Sequence, residues 1–275
     1  MNPIYLQALS FQDVHGPNED CIHAAADMAA ELGIAGIDIE DRLLKSYEPT
    51  YLQELAHQIE ARGIRIGYCG LIVDFNAPIS SIPDEINRAK LLLNAIPYLD
   101  VSSIRIPGNG VVGRQSTEGT FNAVRNKFQQ VLDHAEGSDV TVYLHNHNHG
   151  SVPSTGEQVL RLVNELNNPG LSYVLDTGQF QGSPGASGEG SPSNMAQVEL
   201  YESIDMCAPI ASMVRAKFYF AQSGPERWLD YPRIVKSLKK SRFDGPISIV
   251  YEPKGTVPST DALPLAVRYL IDLLR

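Results

Sequence analysis

Cysteine is scarce in this chain. Its three residues, Cys21, Cys69 and Cys207, lie far apart and form no CxxC pair. That argues against a disulfide framework or a cysteine zinc site and fits a reducing compartment. Positive charge is short as well: 22 Lys and Arg stand against 32 Asp and Glu, a formal net charge of −10. Binding to a phosphate backbone needs clustered cations, so a nucleic-acid partner is not expected. No apolar stretch approaches the length of a transmembrane helix, so neither is a membrane partner. The opening MNPIYLQALSFQDVHG has no basic region and no long apolar run; a leader peptide is not expected, and a cytoplasmic location is. A Walker sequence, a GxSxG elbow and a dinucleotide fingerprint are also missing.

What is present is a regular alternation of short apolar runs and amphipathic windows. Strands are expected near 3–9, 35–40, 64–69, 102–106, 140–145, 172–176, 211–217 and 246–251. Helices are expected near 18–32, 50–62, 83–97, 119–136, 155–167, 196–207, 231–241 and 261–274. Helix starts are signalled by Ser81 with Pro83 and Asp84, and by Ser154 and Thr155 with Glu157. Eight strand–helix units and no linker predict one (β/α)8 barrel over residues 1–275. A doubly wound sheet would want a glycine-rich turn after the first strand, which LSFQDVHGPNED lacks.

Four of the apolar runs finish in polar side chains: VYLHNHNHG, SYVLDTGQF, ASMVRAKFY and ISIVYEPKG. This puts His145, His147, Asp176, Arg215, Lys217 and Glu252 at the C-terminal ends of parallel strands, where barrels bind ligands. His145 and His147 alternate to one side of their strand, and an imidazole titrating near neutrality suits acid–base work. Glu252 lies two residues past Val250 and so faces the same way. Asp74 is a further mouth candidate, with loop capping as its other reading. His149 reads as surface, and Cys69 as a small buried hydrophobe. The low-complexity stretch GSPGASGEGSPS (182–193) reads as a surface insertion, with a substrate lid as the second reading. Trp228 reads as a core plug.

These segments together resemble the xylose-isomerase-like superfamily of sugar isomerases, sugar 3-epimerases and endonuclease-IV-type proteins. The segments are ELGIAGIDIED (31–41), IVDFNAP (72–78), INRAKLLLNAIPYLDVSSIRI (86–106), LHNHNHG, VLDTGQF and PERWLDYPRIVKSLKKSRFDGPISIVYE (225–252). The resemblance implies a barrel that transfers protons on a small sugar-like, keto- or hydroxyl-bearing substrate, as an isomerase, an epimerase or a related lyase. It implies substrate-binding roles for Glu40, Arg105, His147 and Lys217. It also implies one divalent metal held by Glu, Asp, His and Glu on strands five to eight. Those positions here are His145, Asp176, Arg215 and Val250. An arginine stays protonated and valine has no donor, so the metal site is expected to be dismantled and no cofactor is expected.

Asp176 and Arg215, on neighbouring strands, are then expected to form a salt bridge in which the guanidinium replaces the ion's charge. Proton abstraction falls to His145 or Glu252, and Arg215 steadies the oxyanion. The alternatives are a rearranged Mn, Mg or Zn site through His145, Asp176, His147 and Glu252, and a non-catalytic ligand-binding barrel. A homo-oligomer is left open by the sequence.

Overall fold

The computed structural model describes residues 2–73, 82–108, 117–147, 152–184, 196–221 and 224–275. Eight strands run β1 (Ile4–Gln7), β2 (Gly36–Glu40), β3 (Arg65–Gly70), β4 (Ser103–Pro107), β5 (Thr141–His145), β6 (Leu171–Asp176), β7 (Met213–Phe218) and β8 (Ile247–Tyr251). All pair in parallel and in sequence order, and β1 closes on β8 with Leu6 opposite Ile249. The expected barrel is therefore what forms. Between successive strands lie the helices Asp20–Glu31, Pro49–Glu60, Ile82–Ala95, Glu118–Ala135, Gly156–Leu166, Ala196–Cys207 and Tyr231–Lys240, and Ser259–Leu274 follows the last. Among the described residues no helix is long and apolar enough to cross a membrane.

Local chemistry sets these boundaries. Thr117, Thr155 and Asp230 each accept a backbone N–H of the first helical turn, from Thr120, Gln158 and Arg233, satisfying a donor that the helix start leaves free. Asn167 ends its helix in the left-handed conformation, which its short polar side chain tolerates. The helix faces carry apolar stripes such as Val159, Leu162 and Leu166, all buried against the sheet. Each such side chain contributes roughly 1.5–3 kcal/mol of burial.

Strand alternation sorts two environments. In β7, Val214, Ala216 and Phe218 enter the core between sheet and helices, whereas Met213, Arg215 and Lys217 turn into the barrel. Met213 meets Tyr68 and Val174 there, with Tyr143 packed against them. This apolar cluster packs inside the barrel, below the charged side chains of the C-terminal mouth. One irregularity matters: the β2–β3 register shifts, from Ile37 opposite Ile66 to Ile39 opposite Cys69. The extra β3 residue is a bulge. Asp38 takes up the N–H of Tyr68 there, Oδ1 lying 3.0 Å away.

Candidate active site

Seven charged or imidazole side chains from β2, β4, β5, β6, β7 and the end of β8 converge at the mouth. At one side Arg105 Nη2 donates to both oxygens of Glu40, at 2.6 and 2.7 Å. Gly70 makes room for this pair, since a Cβ there would lie 2.5 Å from Arg105 Nη2 and 2.6 Å from Glu40 Oε2. Arg105 Nη1 sits 3.0 Å from His145 Nδ1. A guanidinium only donates, so Nδ1 must be the accepting nitrogen. His145 then carries its proton on Nε2 and donates it to Asp176 Oδ2, 3.2 Å away. Burial, and then the Arg105 charge, hold its pKa well below the usual imidazole value. His145 is thus a neutral bridge whose lone pair is already used. This geometry removes the reason for making it the proton-abstracting base.

Asp176 is the hub of the other side. Its Oδ1 accepts from Gly178 N at 2.9 Å, and its Oδ2 from Arg215 Nε at 3.1 Å as well as from His145. Lys217 Nζ lies 3.7 Å from the same oxygen. Burial pushes the Asp176 carboxyl up, but Lys217, the His145 hydrogen bond and Arg215 outweigh it and hold the pKa well below the carboxylate range. The register places Asp176 directly opposite Arg215, as neighbouring strand ends require. Arg215 Nη1 also donates to the Tyr68 hydroxyl and lies 3.6 Å from Glu40 Oε1. Gln7 Nε2 completes the ring, donating to Tyr68 at 3.0 Å and to Glu40 at 3.3 Å.

Lys217 Nζ is 2.5 Å from Glu252 Oε1. Glu252 differs from the other carboxylates in exposure, 37 % of its side chain against 2 % for Glu40 and none for Asp176. Burial raises its pKa and Lys217 lowers it further, so the net direction is down. Glu252 is therefore an ionised carboxylate at the open side of the network. Among the described residues of this network, Arg105, Arg215 and Lys217 balance Glu40, Asp176 and Glu252 in formal charge.

The remaining expectations divide. His147 lies just beyond β5, half-buried, its ring edge-on to His145 at 5.9 Å. Asp74 and His149 lie outside the described residues, as does most of the 182–193 stretch. Trp228 stacks on Phe220 and packs against the core. Cys69 is buried in the core, where burial raises its thiol pKa.

The sequence reading passed over Gln7, Tyr68, Asn146 and Asp38. Gln7 ends β1 and obeys the same strand-end rule that found the others. Asn146 clamps the end of β6, accepting Asp176 N at 2.9 Å and donating to Asp176 O at 3.0 Å. Asp38 is fully buried one layer below Glu40. Burial, only partly offset by Ser248 and Arg215, raises its pKa to about 7. Its Oδ2 has no partner of hydrogen-bond geometry, and neither has Ser248 Oγ.

A divalent ion does not fit the donors present. Of the four positions implied by the resemblance, Arg215 only donates and Val250 is apolar. His145 spends its lone pair on Arg105, and both Asp176 oxygens are occupied by donors. Among the described residues no three His, Cys, Asp or Glu side chains are grouped to hold a metal. An ion placed about 4 Å from a guanidinium would be repelled by roughly 4 kcal/mol per unit charge at moderate effective dielectric. One cleft of about 600 Å³, beside Thr141 and Gly170, opens at the N-terminal ends of the strands, away from these charges.

Solved structures with the same fold include a D-allulose 3-epimerase from Methylomonas sp., 15% identical, with TM-score 0.74 and 99% of this chain and 98% of that one covered. An L-ribulose 3-epimerase aligns with TM-score 0.77 at 13% identity, covering 100% and 95%. The IolI protein with a bound zinc atom aligns with TM-score 0.75 at 17% identity, covering 99% and 98%. Identities this low establish the fold alone. A search of the curated proteins found no match. A family model described as xylose isomerase-like TIM barrel matches residues 26–273. With a closed eight-stranded parallel barrel and a polar mouth at its C-terminal end, the chain belongs to the xylose isomerase-like TIM barrel family.

Proposed function

We propose that this protein is an isomerase or epimerase of a small, uncharged, ketose-like substrate, and that it transfers a proton next to the carbonyl without a divalent metal. The observation carrying this reading is the seating of Arg215 on Asp176, Nε to Oδ2 at 3.1 Å. A fixed positive charge stands where the resemblance implies an ion. Developing negative charge on a carbonyl oxygen is stabilised by such a preorganised donor, and charge-assisted hydrogen bonds in a water-poor site are the strong ones. Glu252 is the proton acceptor, being ionised and open to the mouth. Lys217, 2.5 Å from it, holds it in place. Asp176 and His145 position Arg215 and Arg105, while His147, Glu40 and Arg105 line the substrate side. The epimerase names of the structural relatives favour a polyhydroxylated substrate, and the balanced formal charge of the described network favours a neutral one.

A second reading rests on the saturation of the network. Every charged group there already has a partner, which suits a barrel that binds a ligand and does no chemistry on it. Incubation with D-fructose, D-allulose, D-tagatose and L-ribulose in deuterium oxide separates the two. The enzymatic reading expects loss of the proton resonance beside the carbonyl of at least one ketose, and no such loss with Glu252→Gln. Ketose binding without any exchange would favour the second reading.

A further inference from the structure

Lys217 is built into the mouth with more care than a simple counter-ion requires. It is the lysine that the barrel interior holds, with 1 % of its side chain exposed. Its backbone is pinned at both polar atoms, N donating to Thr177 Oγ1 at 3.0 Å and O accepting from Tyr231 at 2.6 Å. Its stem lies on Gly178, where a Cβ would come within 2.5 Å of Lys217 Cγ. Any other residue at 178 would push the lysine aside. The amine is thereby fixed between a wholly buried carboxylate, Asp176 at 3.7 Å, and the partly exposed Glu252 at 2.5 Å. An amine with an acid–base group in contact is the arrangement that carbonyl condensation needs.

Arg215, in contrast, is largely spent. Its Nε is held by Asp176 and its Nη1 by Tyr68. A guanidinium so committed steadies charge but forms no bond. We propose that Lys217 is a further catalytic residue, condensing with the keto group of the substrate to form a protonated imine that serves as the electron sink for proton removal. This rests on the metal-free proton-transfer reading above and deepens it.

The step balances without any outside reagent. The ammonium gives one proton to Glu252, and the freed Nζ lone pair attacks the carbonyl carbon. A C–N bond forms as the carbonyl π pair moves to oxygen, which Arg215 faces and Glu252 protonates. Nitrogen loses its second proton to the leaving hydroxyl, the C–O bond breaks, and water departs as C=N⁺ forms. An ammonium and a ketone have become an iminium and water. Glu252, again a carboxylate, then removes the proton from the adjacent carbon, and the C–H electron pair becomes the C=C bond of an enamine. Reprotonation and hydrolysis reverse these steps and return the lysine.

Trapping tests the proposal on the intact protein. The protein is incubated with dihydroxyacetone and sodium cyanoborohydride near neutral pH, and lysine peptides are then mapped by mass spectrometry. The expected result is an adduct of the ketone's mass less one oxygen at Lys217, formed about tenfold or more faster than at the exposed Lys239 and Lys240. Adducts confined to exposed lysines would overturn the imine. Hydrogen exchange on the ketose panel then shows how far the failure reaches. Exchange persisting without a Lys217 adduct overturns the covalent step alone, whereas absence of both removes the proton-transfer reading too.

Discussion

Replacing Arg215 by methionine keeps much of the side-chain volume and removes the charge, so its effect can be worked from the contacts. The wild-type guanidinium meets Asp176 Oδ2 at 3.1 Å, the Tyr68 hydroxyl, and Glu40 Oε1 at 3.6 Å. Removing one partner of a buried pair leaves the other charge uncompensated and costs about 3–5 kcal/mol. Asp176 would keep Gly178 N, His145 and Lys217, and Glu40 would keep Arg105. The expected loss is therefore near the lower end, about 3 kcal/mol. Urea unfolding followed by far-ultraviolet circular dichroism at pH 7 reads it directly. A double-mutant cycle with Asp176→Asn isolates the pair, and a coupling of about 1–3 kcal/mol is expected for groups in direct contact. A loss below about 1 kcal/mol, or simple additivity, would refute the claim that this arginine is seated on Asp176.

Two further outcomes follow from the site. Asp38 has a folded-state pKa raised from 3.8 to about 7, so the folded chain holds this proton more tightly than the unfolded chain. Its contribution is fully present below about pH 4 and is lost as pH rises through 7, a swing of up to about 4 kcal/mol at 1.36 kcal/mol per pKa unit. Asp38→Asn keeps an acceptor for Tyr68 N, so wild type should lose stability against this variant between pH 5 and pH 8.5; parallel urea-unfolding midpoints would contradict the assignment. Glu252→Gln should cost only modest stability, because the buried Lys217 keeps Asp176 at 3.7 Å, yet should slow hydrogen exchange into the ketose substrate by about 10²–10⁴-fold. Undiminished exchange would place the base elsewhere.

The strands were legible because each is a short apolar run between helical windows, and four of them finish in polar residues, which a barrel puts at one end. Asp176, Arg215, Lys217 and Glu252 followed from that rule together with two-residue alternation. Gln7 obeys the same rule, but only once the first strand stops at it; the expected strand 3–9 ran two residues further and hid it. Tyr68 and Asp38 were not legible, since the β2–β3 bulge breaks alternation where they meet and no composition signal marks a bulge. The role of His145 was hidden for another reason. Its chemistry depends on what each ring nitrogen faces, and only the fold brings Arg105 to one and Asp176 to the other. Helix ends were read to within a few residues, because capping is local and tertiary packing is not.

The replacement of an ion by the guanidinium is tested most directly by one paired measurement on the purified protein. The protein is dialysed against EDTA, its metal content is read by elemental mass spectrometry, and hydrogen exchange into the ketose panel is followed on that same sample. The account predicts metal far below one ion per chain together with exchange as fast as before dialysis. Exchange that vanishes on dialysis and returns with one Mn, Zn or Mg per chain would contradict it.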